Sequence, residues 1–356
     1  MVFGFGKKPA QKTFKHRVAE FWKWYPQVAD RFFQTIERKQ CESLAGEVSK
    51  FMNSTLPDMA WVFGPGEGGG HSFTVSGEGV VAKQLLAEYW LSRAVSIPHW
   101  TFYGSRQPSD IEHLKGMAIR LGEHESIDSD SFLIRTDVVA DEEKIDIVAW
   151  HPALKLVPEE DHYQIFFLLL DEALGEFGTE MWLGEIKIEP FETGTGVISL
   201  TELPAKIQQV NHYYQWKKLP PLHSYSVYEL NEQTSTPRGD TLVGSTCIPR
   251  VILEFLNKGR IEDNPLEGTG AEFAYLAIDG SVFPQGEQTA VRSNIEDVVS
   301  DALVSAASGR TLDGAFGFEK SYIDLILFDG DESRKIIHKV LDGLQLRGRA
   351  TIEHLA

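Results

Sequence analysis

Several polar side chains in this 356-residue sequence have the types and the spacing that acid–base chemistry needs. Glu172 and Glu176 lie four residues apart, which places both carboxylates on one face of a helix. Paired carboxylates can act as general acid and base or bind Mg²⁺, although two carboxylates on a solvated helix need do neither. Upstream, the sequence supplies an imidazole, a phenol and a guanidinium. The candidate catalytic set is therefore His99, Tyr103, Arg106, Glu172 and Glu176, in which Arg106 would bind an anion.

A glycine-rich turn offers a second kind of chemistry, the binding of a nucleotide. Gly77, Gly79 and Ala82 fit the pattern G-x-G-x-x-A between a predicted strand and a predicted helix. In dinucleotide-binding folds, the helix after such glycines binds the pyrophosphate with its free N–H groups. The next predicted strand, 97–103, ends without the acidic residue that would bind a ribose hydroxyl. These three residues form the candidate cofactor-binding set, but a tight turn with positive φ is the preferred interpretation and no cofactor is predicted.

Cysteine and histidine are too sparsely placed for a metal centre or a disulfide scaffold. The sequence has two cysteines, Cys41 and Cys247, and its histidines form no H-E-x-x-H pattern. Cys247 could pair with His223 as a nucleophile and its base, although this is one combination among many. We predict no metal site, and isolated thiols of this kind are typical of a reducing cytoplasm.

The charge balance restricts the class of partner. The formal net charge is −18, while residues 1–19 hold five lysines and arginines and no acidic residue. An acidic surface argues against nucleic acid and against an anionic membrane as the partner. No stretch approaches the roughly 18 apolar residues that span a bilayer, so no membrane span is predicted. The predicted partner is another protein or a second copy of this chain, and the sequence names no small ligand.

Hydrophobic periodicity predicts an α+β protein with two domains, which have mixed, mainly antiparallel sheets and flanking helices. A basic flexible arm is predicted over 1–19, a first domain over 20–217 and a second domain over 222–356. The boundary lies at Pro220 and Pro221, because two prolines end a helix and favour an extended linker. Within the second domain the predicted elements follow the order β-α-β-β-α-β, the ferredoxin-like pattern.

Three local patterns add to this prediction. Pro26 is expected to divide the N-terminal helical pattern into a short and a long helix. The five successive apolar residues Ile165–Leu169 predict a buried strand over 163–170. Aromatic residues at 21–25 and at 212–216 exceed what one helix face can bury, so we expect them to pack between the domains or against a partner.

Two segments of the first domain resemble a group of uncharacterised bacterial proteins of unknown function. The segments are Pro98–Pro108 and Leu168–Glu176, and the resemblance covers about 20–190. It implies a bacterial cytoplasmic protein and supplies no catalytic residues. The order of elements in the second domain is similar to that of acidic ferredoxin-like regulators such as the ribonuclease E inhibitors, although a fold alone does not fix a function.

No catalytic pattern is complete in its sequence context. We therefore predict a non-enzymatic binding or regulatory protein of the bacterial cytoplasm that acts through contacts with other proteins. The alternative is a hydrolase whose carboxylates and histidine line a cleft between the two domains. Convergence of the five candidate side chains on one pocket would favour the hydrolase.

Overall fold

The computed structural model describes residues 12–121, 125–190, 196–230 and 234–355, and it shows an α+β protein. The α-helices are α1 (Phe14–Glu37), α2 (Ala45–Thr55), α3 (Val81–Ser92), α4 (Ile111–Lys115), α5 (Glu159–Leu174), α6 (Glu176–Trp182), α7 (Leu203–Tyr214), α8 (Pro249–Lys258), α9 (Gln288–Ser305) and α10 (Asp331–Gly343). The strands are β1 (Ala60–Pro65), β2 (His71–Ser76), β3 (Trp100–Tyr103), β4 (Ala118–Leu121), β5 (Glu125–Asp128), β6 (Leu133–Val139), β7 (Lys144–Trp150), β8 (Leu183–Ile188), β9 (Ile198–Ser199), β10 (Ser226–Glu229), β11 (Thr241–Thr246), β12 (Glu272–Asp279), β13 (Gly309–Gly317), β14 (Lys320–Leu327) and β15 (Ala350–His354). Within the described ranges, no helix combines the length and the apolar character that crossing a bilayer needs.

Six strands of the C-terminal half form one antiparallel sheet, in the order β10-β11-β13-β14-β12-β15. Helix α9 connects β12 to β13, a tight turn connects β13 to β14, and α10 connects β14 to β15. The structure therefore has the predicted element order β-α-β-β-α-β. Helices α9 and α10 cover one face of the sheet, while α8 and the N-terminal helices pack on the other. Because helices cover both faces of the sheet, residues 321–327 of β14 are all buried.

The N-terminal sheet has the order β1-β2-β3, and helix α1 packs against it. Helix α1 runs through Pro26 without interruption, so the predicted division into two helices is wrong. A proline inside a helix removes a backbone hydrogen bond and costs about 3 kcal/mol, but buried side chains on both sides of it hold α1 continuous. Among them, Phe21 and Trp22 pack on Trp90 with ring centroids 5.3 and 5.0 Å away. The core thus accounts for these N-terminal aromatics, whereas Tyr213 on α7 is 77% exposed.

The apolar run in the middle of the chain is helix α5 and not the predicted strand. A short apolar run does not distinguish a buried strand from a buried helix. The buried residues of α5 recur at helical spacing, at Phe166, Leu169, Leu170 and Ala173. Phe167 and Leu168 therefore lie on another face, where they are 39% and 40% exposed.

Among the described residues, buried apolar side chains form three clusters. The first cluster draws on residues 14–100 and on residues 222–355, and the third lies between the C-terminal sheet and helices α9 and α10. The second cluster lies within 114–216, around the four-stranded sheet β8-β7-β6-β9 and helices α5 and α7. The division of the chain into domains at 20–217 and 222–356 stays a prediction, and the first cluster includes residues of both ranges.

The predicted basic arm, 1–19, falls only partly within the described residues, since 1–11 lie outside them. Helix α1 begins at Phe14, which is 1% exposed. The backbone N–H of Phe14 donates to the carbonyl of Gly270 at 2.9 Å. Residues 14–19 are therefore a packed helical turn against the C-terminal half, which differs from the flexible arm predicted there.

Candidate functional site

Three residues of the predicted catalytic set lie near one another, at the junction of α5 and α6 with the segment after β3. The Arg106 N–H donates to the Glu176 carboxylate at 3.3 Å, and the Arg106 guanidinium pairs with Glu78 at 2.8 Å. Glu172 lies close by in the last turn of α5 and accepts a hydrogen bond from Ser109 Oγ at 2.6 Å. These contacts hold the segment after β3 against the ends of α5 and α6.

The other two predicted residues lie elsewhere. His99 is exposed and has φ 65, and its ring packs 5.3 Å from Phe33. Tyr103 lines a separate depression of ≈ 220 Å³ together with Phe177 and Leu222. Burial raises the pKa of the Tyr103 hydroxyl, so this hydroxyl stays protonated at neutral pH. The five predicted residues therefore do not share one pocket.

Glu176, the first residue of α6, is buried and fully hydrogen-bonded. It is 3% exposed, and burial of a carboxylate is tolerated only when donors surround it. Its four donors are Ser76 Oγ at 2.8 Å, Gly79 N at 3.0 Å, Gln84 Nε2 at 2.9 Å and Arg106 N at 3.3 Å. These donors belong to β2, the β2–α3 turn, α3 and the segment after β3. The Glu176 carboxylate thus connects α6 to the N-terminal sheet and to α3.

The glycine turn is the tight turn that the sequence predicts, and its anion-binding position is already filled. Gly79 has φ 75, which favours glycine, and Ala82 is buried on α3. Gly77 lies so close to α3 that a Cβ there would stand 2.9 Å from Gln84 Cγ. The Gly79 N–H donates to Glu176, so an internal carboxylate occupies the end of the helix where a phosphate would bind. The nucleotide alternative therefore loses its principal donor.

Beside Glu176 lies an open cleft of ≈ 630 Å³, which we call the acidic cleft. The β2–α3 turn forms one side, and α5, α6 and β8 form the other. Its lining residues are Glu78, Gly79, Gln164, Phe167, Leu168, Asp171, Glu176, Thr179, Glu180, Leu183 and Ile186. Among these described lining residues there are four carboxylates and no lysine, arginine or histidine. The cleft combines negative charge with an apolar wall, which consists of Phe167, Leu168, Leu183 and Ile186.

Burial changes the proton affinity of two carboxyl groups in the acidic cleft. It raises the pKa of Asp171 to about 6, even though Thr179 Oγ1 donates to this carboxyl at 3.1 Å. It also raises the pKa of Glu180, which accepts from Gln84 Nε2 at 3.4 Å. Near pH 6, both the protonated and the ionised form of Asp171 are therefore populated. In the part of the chain that the structure describes, no three His, Cys, Asp or Glu side chains are grouped to hold a metal ion.

Replacing Asp171 with asparagine is expected to stabilise the fold above pH 6 and to leave it nearly unchanged near pH 4. Since the folded-state pKa exceeds the usual 3.8, the unfolded chain releases its proton first, and stability falls as the pH rises through this interval. The difference between the folded-state and unfolded-state pKa of Asp171 corresponds to a change of at most about 3 kcal/mol in the free energy of unfolding. Because the carboxyl group is partly exposed, we expect a change of about 1 kcal/mol. Urea denaturation of both proteins at the two pH values measures the difference, and a pH-independent effect would contradict the raised pKa.

The cysteine that the sequence offers as a nucleophile is buried. Cys247 is 3% exposed, and burial raises the pKa of its thiol to about 11, so the thiolate is scarce at neutral pH. We expect iodoacetamide to modify the half-buried Cys41 first, and to modify Cys247 only after a denaturant is added. Mass spectrometry of tryptic peptides measures both sites. Fast alkylation of Cys247 in the folded protein would show that this thiol is accessible after all.

Sequence reasoning missed the role of Gln84 and of the apolar wall. Gln84 is fully buried, and its amide bridges Glu176 and Glu180. The sequence offers one signal of this role, because Gln84 is a polar residue within the apolar stretch of α3. Phe167 and Leu168 could not be assigned to the cleft, because the strand predicted there would have buried them.

Comparison of the chain with models of protein families, with curated proteins and with solved structures gives no match. The function therefore has to be argued from the geometry and chemistry of the site itself.

Proposed function

We propose that this chain is a binding protein whose acidic cleft takes a basic and apolar segment of another protein. The lining of the cleft carries the proposal. Of its four carboxylates, Glu78 pairs with Arg106 and Glu176 is bound by internal donors, which leaves Asp171 and Glu180 to face a ligand. They stand beside an apolar wall in which Phe167 and Leu168 are 39% and 40% exposed, and no described lining residue is cationic. A cationic side chain with an apolar neighbour complements both parts of such a surface.

Charge favours a cationic partner at long and at short range. The net charge of −18 attracts a basic partner and speeds its approach at low ionic strength. Within the cleft, Asp171 and Glu180 are partly shielded from water, so each interacts with a cation more strongly than an exposed carboxylate does. A bound cation would also lower the pKa of Asp171 and release its proton. Binding is therefore expected to strengthen as the pH rises above 6.

The apolar wall adds affinity that charge alone does not provide. Phe167 and Leu168 project from α5, and Leu183 and Ile186 belong to β8 on the same side of the cleft. Burying one such side chain fully contributes about 1.5–3 kcal/mol, and exposed apolar groups that lie together are a common mark of a binding surface. A partner that covers Phe167 and Leu168 would bury them together with its own apolar group.

Asp171 supports a second candidate function, a hydrolase in which this residue is the general acid or base. A carboxyl group with a pKa of about 6 can exchange a proton near neutral pH. Glu176 is unsuited to that role because four donors already bind its oxygens. A screen of ester, amide and phosphoester substrates with the wild type and Asp171→Asn separates the two functions. Turnover that the substitution abolishes would favour the hydrolase.

We also propose a bacterial cytoplasmic location and a ferredoxin-like relationship for the C-terminal half. The two free cysteines, Cys41 and Cys247, support a reducing compartment. The strand order β15-β12-β14-β13, with α9 and α10 on one face, supports the ferredoxin-like relationship.

A peptide-display selection tests the binding proposal. Short random peptides are selected on the wild type and, in parallel, on the variant Phe167→Ser/Leu168→Ser. The control is Tyr163→Ser, which changes a residue of α5 that is 46% exposed and does not line the cleft. We expect enrichment of peptides in which lysine or arginine neighbours an apolar residue, on the wild type and the control but not on the double variant. Enrichment of acidic peptides, or equal enrichment on all three proteins, would contradict the proposal.

A further inference from the structure

A second cleft, of ≈ 370 Å³, lies where helix α7 meets α4, α6 and the end of α5. Four of its lining residues belong to α7 and recur at spacings of three and four, so they share one face of that helix: Pro204, Ile207, Gln208 and Asn211. We call it the amide cleft, because two of these side chains are amides. The amide cleft shares no lining residue with the acidic cleft, so an inference about it does not depend on the proposed function.

The rest of the lining of the amide cleft is mostly apolar. It includes Ile111 and Leu114 of α4, Leu174 of α5 and Trp182 of α6. Among the described residues that line this cleft no side chain is charged, although the whole chain has a net charge of −18. A charged ligand group would lose its hydration here without gaining a counter-charge, so the lining favours an uncharged ligand. The cleft volume lies within the range of about 300–1,000 Å³ that is typical of small-molecule sites.

The Asn211 amide in this lining has an unused hydrogen-bond acceptor. Its Oδ1 atom is buried, and no described residue donates to it. A buried acceptor without a partner costs stability, and such groups are few in native proteins. The χ2 torsion of asparagine is soft, so rotation of the amide can turn Oδ1 toward a donor in the cleft. The partner that Asn211 lacks is therefore an N–H or O–H group, which a ligand can supply.

An amide side chain selects a particular kind of ligand edge. It presents an acceptor beside a donor, and asparagine and glutamine use this pair to bind the exocyclic amine and the adjacent ring nitrogen of adenine. Gln208 offers a second amide to the cleft, from the same face of α7 as Asn211. Trp182 and the aliphatic side chains supply apolar surface against which the faces of an aromatic base pack. A purine base therefore complements both the amides and the apolar part of the lining.

We propose that the amide cleft is a binding site for an uncharged purine nucleoside, whose base pairs with the Asn211 amide and packs against the apolar lining. The exocyclic amine of the base brings the N–H donor that Asn211 Oδ1 lacks. A nucleotide fits less well, because its phosphate would find no cation among the described lining residues. The site is distinct from the glycine turn, where the Glu176 carboxylate already accepts the Gly79 N–H.

A saturation-transfer difference NMR titration with adenosine, up to millimolar concentration, tests the inference on the whole chain. We expect saturable binding to the wild type. The dimethylated analogue, whose exocyclic amine carries no hydrogen, should bind about tenfold more weakly, and adenosine monophosphate should also bind more weakly than adenosine. Asn211→Leu should weaken adenosine binding about tenfold. The matched control is Gln209→Leu, which removes an exposed amide of α7 that does not line the cleft and should leave binding unchanged.

Urea denaturation separates a ligand-binding role of Asn211 from a structural one. Leucine has the branched shape of asparagine and leaves no unpaired oxygen, so Asn211→Leu should be at least as stable as the wild type. A loss of stability or of folding in this variant would show that the amide is structural, and would overturn the proposal. Absence of saturable adenosine binding to the wild type overturns it as well. So does equal binding of adenosine by Asn211→Leu, or equal binding of either analogue by the wild type.

Discussion

Replacing Glu176 with alanine is expected to lower the free energy of unfolding by about 3 kcal/mol. The substitution removes the acceptor of four hydrogen bonds, and the donors on Ser76, Gly79, Gln84 and Arg106 stay largely buried. An unpaired buried donor costs about 1–3 kcal/mol, and the four losses are not additive because the donors share one site. Urea denaturation followed by circular dichroism measures the change.

Two further variants show whether the hydrogen bonds or the volume of the side chain matter. Glu176→Gln keeps the shape and one acceptor oxygen, so about half of the loss is expected. Glu172→Ala removes a carboxylate that accepts one side-chain hydrogen bond, from Ser109, and should cost about 1 kcal/mol. Equal and small effects of Glu176→Ala and Glu172→Ala would contradict the role assigned to Glu176.

Asp324 of β14 and Arg238, from the loop before β11, form a completely buried ion pair. Replacing Asp324 with asparagine is expected to destabilise the fold by about 3–5 kcal/mol, which is the usual result of breaking a buried ion pair from one side. The isosteric amide leaves the Arg238 guanidinium buried without a counter-charge, and a guanidinium cannot release its proton. Arg238→Met leaves Asp324 alone, but a buried carboxyl can take up a proton and become neutral. The loss for Arg238→Met should therefore be smaller, and it should decrease further as the pH falls.

The double variant Arg238→Met/Asp324→Asn completes the thermodynamic cycle. Because neither charge remains, its loss in stability should be smaller than the sum of the two single losses by at least about 1 kcal/mol. Urea denaturation at pH 5 and pH 8 provides all of these values. Additive losses, or a loss for Arg238→Met that is independent of pH, would show that the two charges do not interact as the structure indicates.

The C-terminal half was the most predictable part of the fold. Helix α9 and helix α10 have clear apolar stripes between strands, and local signals of this kind persist in the structure. The errors lie where packing overrides local signals. Pro26 does not end α1, because buried neighbours on both sides hold the helix together. The run Ile165–Leu169 belongs to a helix whose buried residues recur at helical spacing, which an unbroken apolar run conceals.

The candidate site was predictable in composition but not in arrangement. The sequence singles out Glu172 and Glu176, and of these Glu176 lines the acidic cleft, together with its neighbours Asp171 and Glu180. It gives no means of seeing that Gly79 and Arg106 donate to Glu176, since these residues are 97 and 70 positions away along the chain. For the same reason His99 and Tyr103 were grouped with residues that the fold places elsewhere.

A fluorescence-anisotropy titration of the protein into a labelled model peptide, in which arginine and leucine alternate, tests recognition in the acidic cleft. We predict saturable binding that Phe167→Ser/Leu168→Ser weakens about tenfold, as a loss of 1.4 kcal/mol requires. Glu180→Gln should weaken it less, and Tyr163→Ser should leave it unchanged. A matched peptide with glutamate in place of arginine should not bind. Equal binding of the two peptides, or equal binding by all variants, would contradict recognition of a basic and apolar segment in the acidic cleft.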